Sequence, residues 1–136
     1  MKNLGAVLED VAAAHEAELP QGWVVWRRPV NRPAEWPLPL CILQGPRGAG
    51  GIRTADGGEE VELDVLYLVS TFDDDGDDAE LMTFLDTDGA VERVMAHESA
   101  HFSDLNVVNW ALDEPLLTGT SLMRGLRVSF SCWVPG

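Results

Sequence analysis

Residues His97-Glu98-Ser99-Ala100-His101 spell H-E-x-x-H, the one place in this chain where residue types and spacing could do chemistry. On a helix, two histidines four apart share a face and can ligate zinc. The glutamate between them can act as base on a metal-bound water. Val94-Met95-Ala96 and Phe102 supply uncharged flanks of the kind such helices carry. The chemistry also needs a third protein ligand and a cleft, and the sequence offers no clear source of either. Glu114 stands thirteen residues past His101 with a predicted strand between them, and Asp104 adjoins that strand. Continuing a helix from the apolar stripe Val91, Val94 and Met95 turns Glu98, Phe102 and Leu105 toward the core. His97 and His101 then fall with Ala90, Arg93 and Asp104 on the solvent side, whereas a zinc helix turns its histidine pair inward. The expectation is no catalytic residue, no resident metal and no cofactor. A small zinc-dependent metallopeptidase using His97, Glu98 and His101 is the alternative.

Other chemistry is harder to find. His15 lies in a predicted helix and reads as packing or surface. No G-x-S-x-G elbow occurs. The glycine-rich run Gly45–Gly58 has neither G-x-G-x-x-G nor a Lys-Ser/Thr pair after its glycines, so it is no phosphate loop. The acids Asp73–Asp78 do not fit a calcium loop: counting back from Gly76, the first position is Thr71 and the twelfth is Met82. They read more simply as negative charge at the start of the following helix.

The elements that would position these residues follow from local pattern. Asn3 can cap a helix with apolar positions Leu4, Val7, Leu8, Val11 and Ala12, and then His15, ended by Pro20 and Gly22. Trp23–Arg28 is a short strand, and Pro29, Pro33 and Pro37 hold the next segment out of regular structure. Leu38–Leu43 is a second strand, apolar on both faces. Gly45–Gly58 reads as a flexible arm or an extended hairpin tip that orders on a partner, with plain disorder as the alternative. Glu59–Phe72 is a long strand with Val61, Leu63, Val65, Tyr67 and Val69 on one face. Helical segments Asp78–Leu85 and Gly89–Ala96 meet at a joint, Asp86-Thr87-Asp88-Gly89. Asp104–Leu112 returns as a strand, Gly119–Gly125 is a turn region, and Leu126–Val134 is a last alternating strand. The order α-β-β-β-α-β-β predicts an α+β fold. Two to three helices would pack on a mostly antiparallel or mixed sheet of about five strands.

At 136 residues the chain reads as a single domain, 1–136. Its net charge of −14 is unevenly placed. Between Arg27 and Arg53 stand five arginines (Arg27, Arg28, Arg32, Arg47, Arg53) and one acid, Glu35. Between Asp56 and Glu114 stand eighteen acids and one base, Arg93. Such a split disfavours non-specific nucleic-acid binding. It suits head-to-tail contact between copies, and solubility alone is the plain alternative. No run of 18 apolar residues predicts a membrane span, and Glu9, Asp10, Glu16 and Glu18 break any secretory signal near the start. Cys41 and Cys132 read as buried free thiols of a reducing compartment, with a bridge between them left open.

The layout resembles the tail terminator proteins of long-tailed bacteriophages, small proteins that form a ring over the tail tube. The similarity covers most of the chain as a pattern rather than a sharp motif. A short helix (Val7–Glu18) is followed by a strand leading into a proline-rich stretch: Trp23–Pro29, then Pro33, Pro37 and Pro39 running into Leu40–Leu43. The alternating strand Val61–Ser70 follows, then a helical segment with a Leu-Asp-x-Asp-Gly joint at Leu85–Gly89. A short irregular turn, His97–Phe102, precedes the strand Asp104–Trp110, and the last strand ends at the C-terminus. Where many relatives carry Leu-Gly-Gly, this chain has Ser99–Ser103. The resemblance implies a homo-hexameric ring between the tail tube protein and a head-completion or neck protein, at the tail-head junction of a virion made in bacterial cytoplasm. DNA would pass through the lumen without specific binding. It also places the histidines on a frayed helix end. Candidate interface residues are Arg27, Arg28, Arg32, Arg47 and Arg53 on the basic side. On the acidic side they are Asp73, Asp74, Asp75, Asp77, Asp78 and Glu80. Another neck or tail-completion protein is the remaining alternative.

Overall fold

The structure, a computed structural model, describes residues 3–29, 37–53, 57–70, 74–118 and 121–136. Helix α1 spans Leu4–Glu18. The Asn3 side chain caps it by accepting the Ala6 N–H at 3.0 Å. It stops where Leu19, the residue before Pro20, turns extended. Val7, Val11, Ala12, Ala14 and His15 form its buried stripe. Strands β1 (Val24–Trp26), β2 (Leu40–Arg53), β3 (Glu59–Ser70), β4 (Ser103–Thr118) and β5 (Ser121–Val134) form one sheet in the order β1-β2-β3-β5-β4. The β1–β2 pair is parallel and the others are antiparallel, so the sheet is mixed. With helices α2 (Asp74–Thr83) and α3 (Ala90–Met95), the molecule is an α+β fold of the predicted kind.

One face of the sheet carries the main core. Val61, Leu63, Val65, Tyr67 and Val69 of β3 alternate inward with Leu126, Val128, Phe130, Cys132 and Val134 of β5. Val7, Val11 and Ala12 of α1, Leu81 of α2, and Val91 and Val94 of α3 close over them. The opposite face holds a smaller cluster, Leu40, Ile42, Leu68 and Met123. This is why β2 and β3 read as apolar on both faces. Further along β3 that second face turns polar. There Asp64 accepts from Ser129 Oγ at 2.7 Å and faces Arg47 at 2.9 Å.

The joint between α2 and α3 depends on Asp88 and Gly89. Asp88 has φ of 61°, in the left-handed region where Asp is among the more tolerant residues. A Cβ at Gly89 would collide with the carbonyl oxygens of Thr83, Phe84 and Asp86. The Gly89 N–H instead donates to Asp86 O at 2.8 Å, and Val91 N–H to Phe84 O at 3.0 Å. The second helix therefore starts afresh at Ala90.

Several local expectations are sharpened or corrected. The glycine-rich run, expected as an arm or an extended hairpin tip, takes the second form: it continues β2 to Arg53 in an antiparallel pair with β3, and residues 54–56 lie outside the described ones. The ladder to β3 pairs Gly48 with Val61 and Arg53 with Glu59, with a register shift between them. It absorbs Gly45-Pro46 as a bulge: Gln44 faces Asp64 but Arg47 faces Glu62, so β2 carries one extra residue. The helix expected to start at Asp78 starts at Asp74. The turn region expected at Gly119–Gly125 shrinks, since β5 begins at Ser121. The helix expected over Gly89–Ala96 spans Ala90–Met95, so the H-E-x-x-H segment lies past its end.

Candidate functional site

The H-E-x-x-H segment is not helical. The Ala96 N–H donates to the carbonyls of Glu92 and Arg93, and the His97 N–H to Val94 O at 3.1 Å. After this cap the chain runs irregularly to Phe102. The face read from a continued helix holds for Phe102 and Leu105, which are buried, and fails for Glu98, which is exposed. The histidines are part-exposed, but they turn back onto α1. His97 Nε2 donates to Glu18 Oε1 at 2.8 Å, and Arg93 Nε donates to Glu18 Oε2 at 3.0 Å. His101 Nδ1 donates to Asp10 Oδ2 at 2.9 Å. Ser99 Oγ donates to the same oxygen at 2.6 Å and accepts the His101 N–H at 2.9 Å.

Both carboxylates respond to these partners. The hydrogen bond from His97, then that from Arg93, holds Glu18 below the usual carboxylate range. The hydrogen bond from His101, then that from Ser99, does the same for Asp10. Asp10 and Glu18 lie eight residues apart on α1. That separation is about 12 Å along a helix axis. Each imidazole is drawn to its own end of this span rather than toward a shared ion. Among the described residues, no group of three or more His, Cys, Asp or Glu side chains is placed to hold a metal. A shallow cleft beside the segment is lined by Met95, His97, Glu98, Phe102, Asp104 and Asn106.

His15 is fully buried. Its Nδ1–H donates to Val11 O at 2.8 Å, which leaves Nε2 to accept from the Tyr67 hydroxyl at 2.7 Å. Burial lowers its pKa to about 4, so the ring is a neutral linker between α1 and β3. Cys41 and Cys132 are free and buried; burial pushes the Cys132 thiol to about 11 and Cys41 higher still.

Two of the five arginines of the basic side, Arg27 and Arg47, are engaged within the chain. Arg27 donates to both oxygens of Glu9 at 2.9 Å and also to Glu16. Arg47 bridges Glu62 at 3.0 Å and Asp64 at 2.9 Å. Arg28 is exposed beside β1, and Glu80 is exposed on α2. Arg32 and Asp73 lie outside the described residues. For Arg53, Asp74, Asp75, Asp77 and Asp78 the backbone alone is described, at the end of β2 and the start of α2.

A different feature stands out once the sheet is laid down. β4 is an outer strand. Val107 faces Phe130 but Asn109 faces Ser129, so Val108 is an extra residue and the strand bulges there. Beyond the bulge Trp110 faces Val128 and Leu112 faces Leu126. Directly opposed residues share a face, so both lie on the core face of the sheet. Yet α1 lies over β1 and β2, and α2 over β3 and β5. Val108, Trp110 and Leu112 are left 51%, 49% and 38% exposed. Sequence reasoning placed this strand but missed its exposure. The doubled Val107-Val108, which breaks a period of two, was the available signal.

The geometry thus defines a small α+β protein whose reactive-looking residues tie its own elements together and whose bare apolar surface lies on a strand edge. The chain matches no protein-family model and no curated protein sequence.

Proposed function

We propose that this chain is a structural virion protein, a tail terminator of long-tailed bacteriophages. It forms a ring, in the resemblance a hexamer, that caps the tail tube and joins it to a head-completion or neck protein. The observation that carries this reading is the element order, α1-β1-β2-β3-α2-α3-β4-β5, with the Leu85–Gly89 joint between α2 and α3 and the histidine segment on the turn before β4. That is the arrangement the resemblance implies. The mechanism is surface matching with no bond chemistry. Identical subunits close a ring through heterologous contacts. A chain of net charge −14 presents carboxylates to the lumen, and these repel DNA phosphates so that the genome slides without sticking.

Negative-stain microscopy of the purified protein with isolated tail tubes tests this. Closed rings seated on one end of the tube are the expected result. Protein that never caps a tube, or that occupies the neck alone, would overturn the terminator assignment. Zinc bound one to one that survives dialysis, and is lost in His101→Ala, would return the metallopeptidase alternative.

A further inference from the structure

The ring needs a seam, and three of the five exposed large hydrophobics among the described residues lie on β4, the others being Leu4 and Val24. Val108, Trp110 and Leu112 are large and apolar, on a strand whose outer edge pairs with no other described strand. Monomers rarely leave such an edge bare, because unpaired strand groups and apolar side chains together invite another chain. Asp104 is exposed near the start of this strand, and Asp113 and Glu114 follow Leu112 in sequence.

The rest of the surface restricts what can sit there. In a chain of −14, most surfaces repel an acid-flanked strand. Among the described residues, the other outer strand ends beside an exposed arginine, Arg28. β1 has Val24 37% exposed and is followed by Arg27, Arg28 and Arg32. Arg27 is held by Glu9 and Glu16, whereas Arg28 is exposed. β1 and β4 are the two ends of one sheet. Joining the β4 of one copy to the β1 of the next continues the sheet between subunits. It is a heterologous contact, which leaves a bare edge at each end until a ring closes.

We infer that the second half of β4, Val108–Leu112, docks on the β1 edge of a second copy of this chain, head to tail. The inference rests on the ring proposed above and supplies its seam. It shifts the principal contact from the acidic start of α2 to the two sheet edges, and keeps Arg28 as the basic element.

Cysteine pairing on the full-length protein tests it. Cys41 and Cys132 are buried and do not compete in the folded chain. The double variant Val24→Cys with Trp110→Cys, oxidised at low salt, gives a ladder of covalent oligomers on a non-reducing gel. Either single variant gives none. Separately, Trp110→Glu weakens self-association in sedimentation velocity on the order of thirtyfold, as loss of a central aromatic anchor does. Dimers from Trp110→Cys alone would mean that β4 pairs with itself, which overturns the inference. So would a Trp110→Glu protein that assembles normally, or a wild-type chain that stays monomeric throughout the concentration series. The outcomes also separate seam from function. Rings that cap tubes despite Trp110→Glu refute the seam and leave the terminator reading standing. A ladder without tube capping does the reverse.

Discussion

The histidine segment and the second half of β4 stand only a few residues apart, and they invert what their compositions suggest. Residues 97–101 hold a glutamate, a serine and two histidines in a catalytic-looking spacing. Three of these side chains are committed inside the molecule, to Asp10 and Glu18 of α1. Val108–Leu112 is strand-like and apolar, the composition of a core, and it faces solvent. Side-chain chemistry shows what a segment can do. Its neighbours in the fold determine what remains for it to do.

The comparison can be broken most forcefully at Phe130. Phe130 sits across the ladder from Val107, on the covered side of the bulge. Phe130→Ala should lower unfolding free energy by about 3–5 kcal/mol in denaturant titration, through lost burial and the cavity left behind. A loss below 1 kcal/mol would mean that the covered half is no better packed than the bare one.

The buried polar link comes next. His15 titrates at 6.5 when exposed and near 4 in the fold, so the unfolded chain binds its proton first as pH falls. Stability from the neutral ring is complete above 6.5 and drains as pH drops toward 4, by about 3 kcal/mol in all. His15→Gln should flatten that part of the pH-stability curve. If it does not, the link to Tyr67 is looser than its 2.7 Å geometry implies.

The surface clamp is weaker. Asp10→Asn should cost about 0.5–1 kcal/mol, because its pair with His101 is partly exposed to solvent. Asp10 is held low, so its contribution is present above the ordinary carboxylate pKa and is lost as pH falls through its own lower value. A larger cost, or a loss of function at unchanged stability, would restore chemistry to this segment. Trp110→Glu should cost far less stability than Phe130→Ala, about 1 kcal/mol, because the side chain it removes is already half exposed. That the same variant should have the largest effect on assembly is the sharpest form of the contrast.

Much of the frame was legible. The Asn3 cap and the Val7-Val11-Ala12 stripe specify α1 locally, and alternation specifies β3 and β5. The Asp-Gly joint follows from a left-handed Asp88 and a Gly89 with no room for a Cβ. The candidate site was less legible. The helix period of Val91, Val94 and Met95 continues in sequence beyond Met95, while the backbone does not, so Glu98, read as facing the core, is exposed, and the contacts of His97 and His101 with α1 were not foreseen. The glycines of β2 read as a loop because their strand character comes from pairing with β3.

The sequence by itself determined the local periods, the caps, the joint and the acidic balance, since each depends on residues within a turn or two of one another. Only the tertiary structure decided that His97 meets Glu18 and His101 meets Asp10. It also decided that β1 runs parallel to β2, and that the strand carrying Trp110 is an outer strand on which Val108, Trp110 and Leu112 are exposed. Those outcomes depend on which distant segments come to lie side by side. A local pattern fixes which face of a strand or helix is apolar, but not what will cover it.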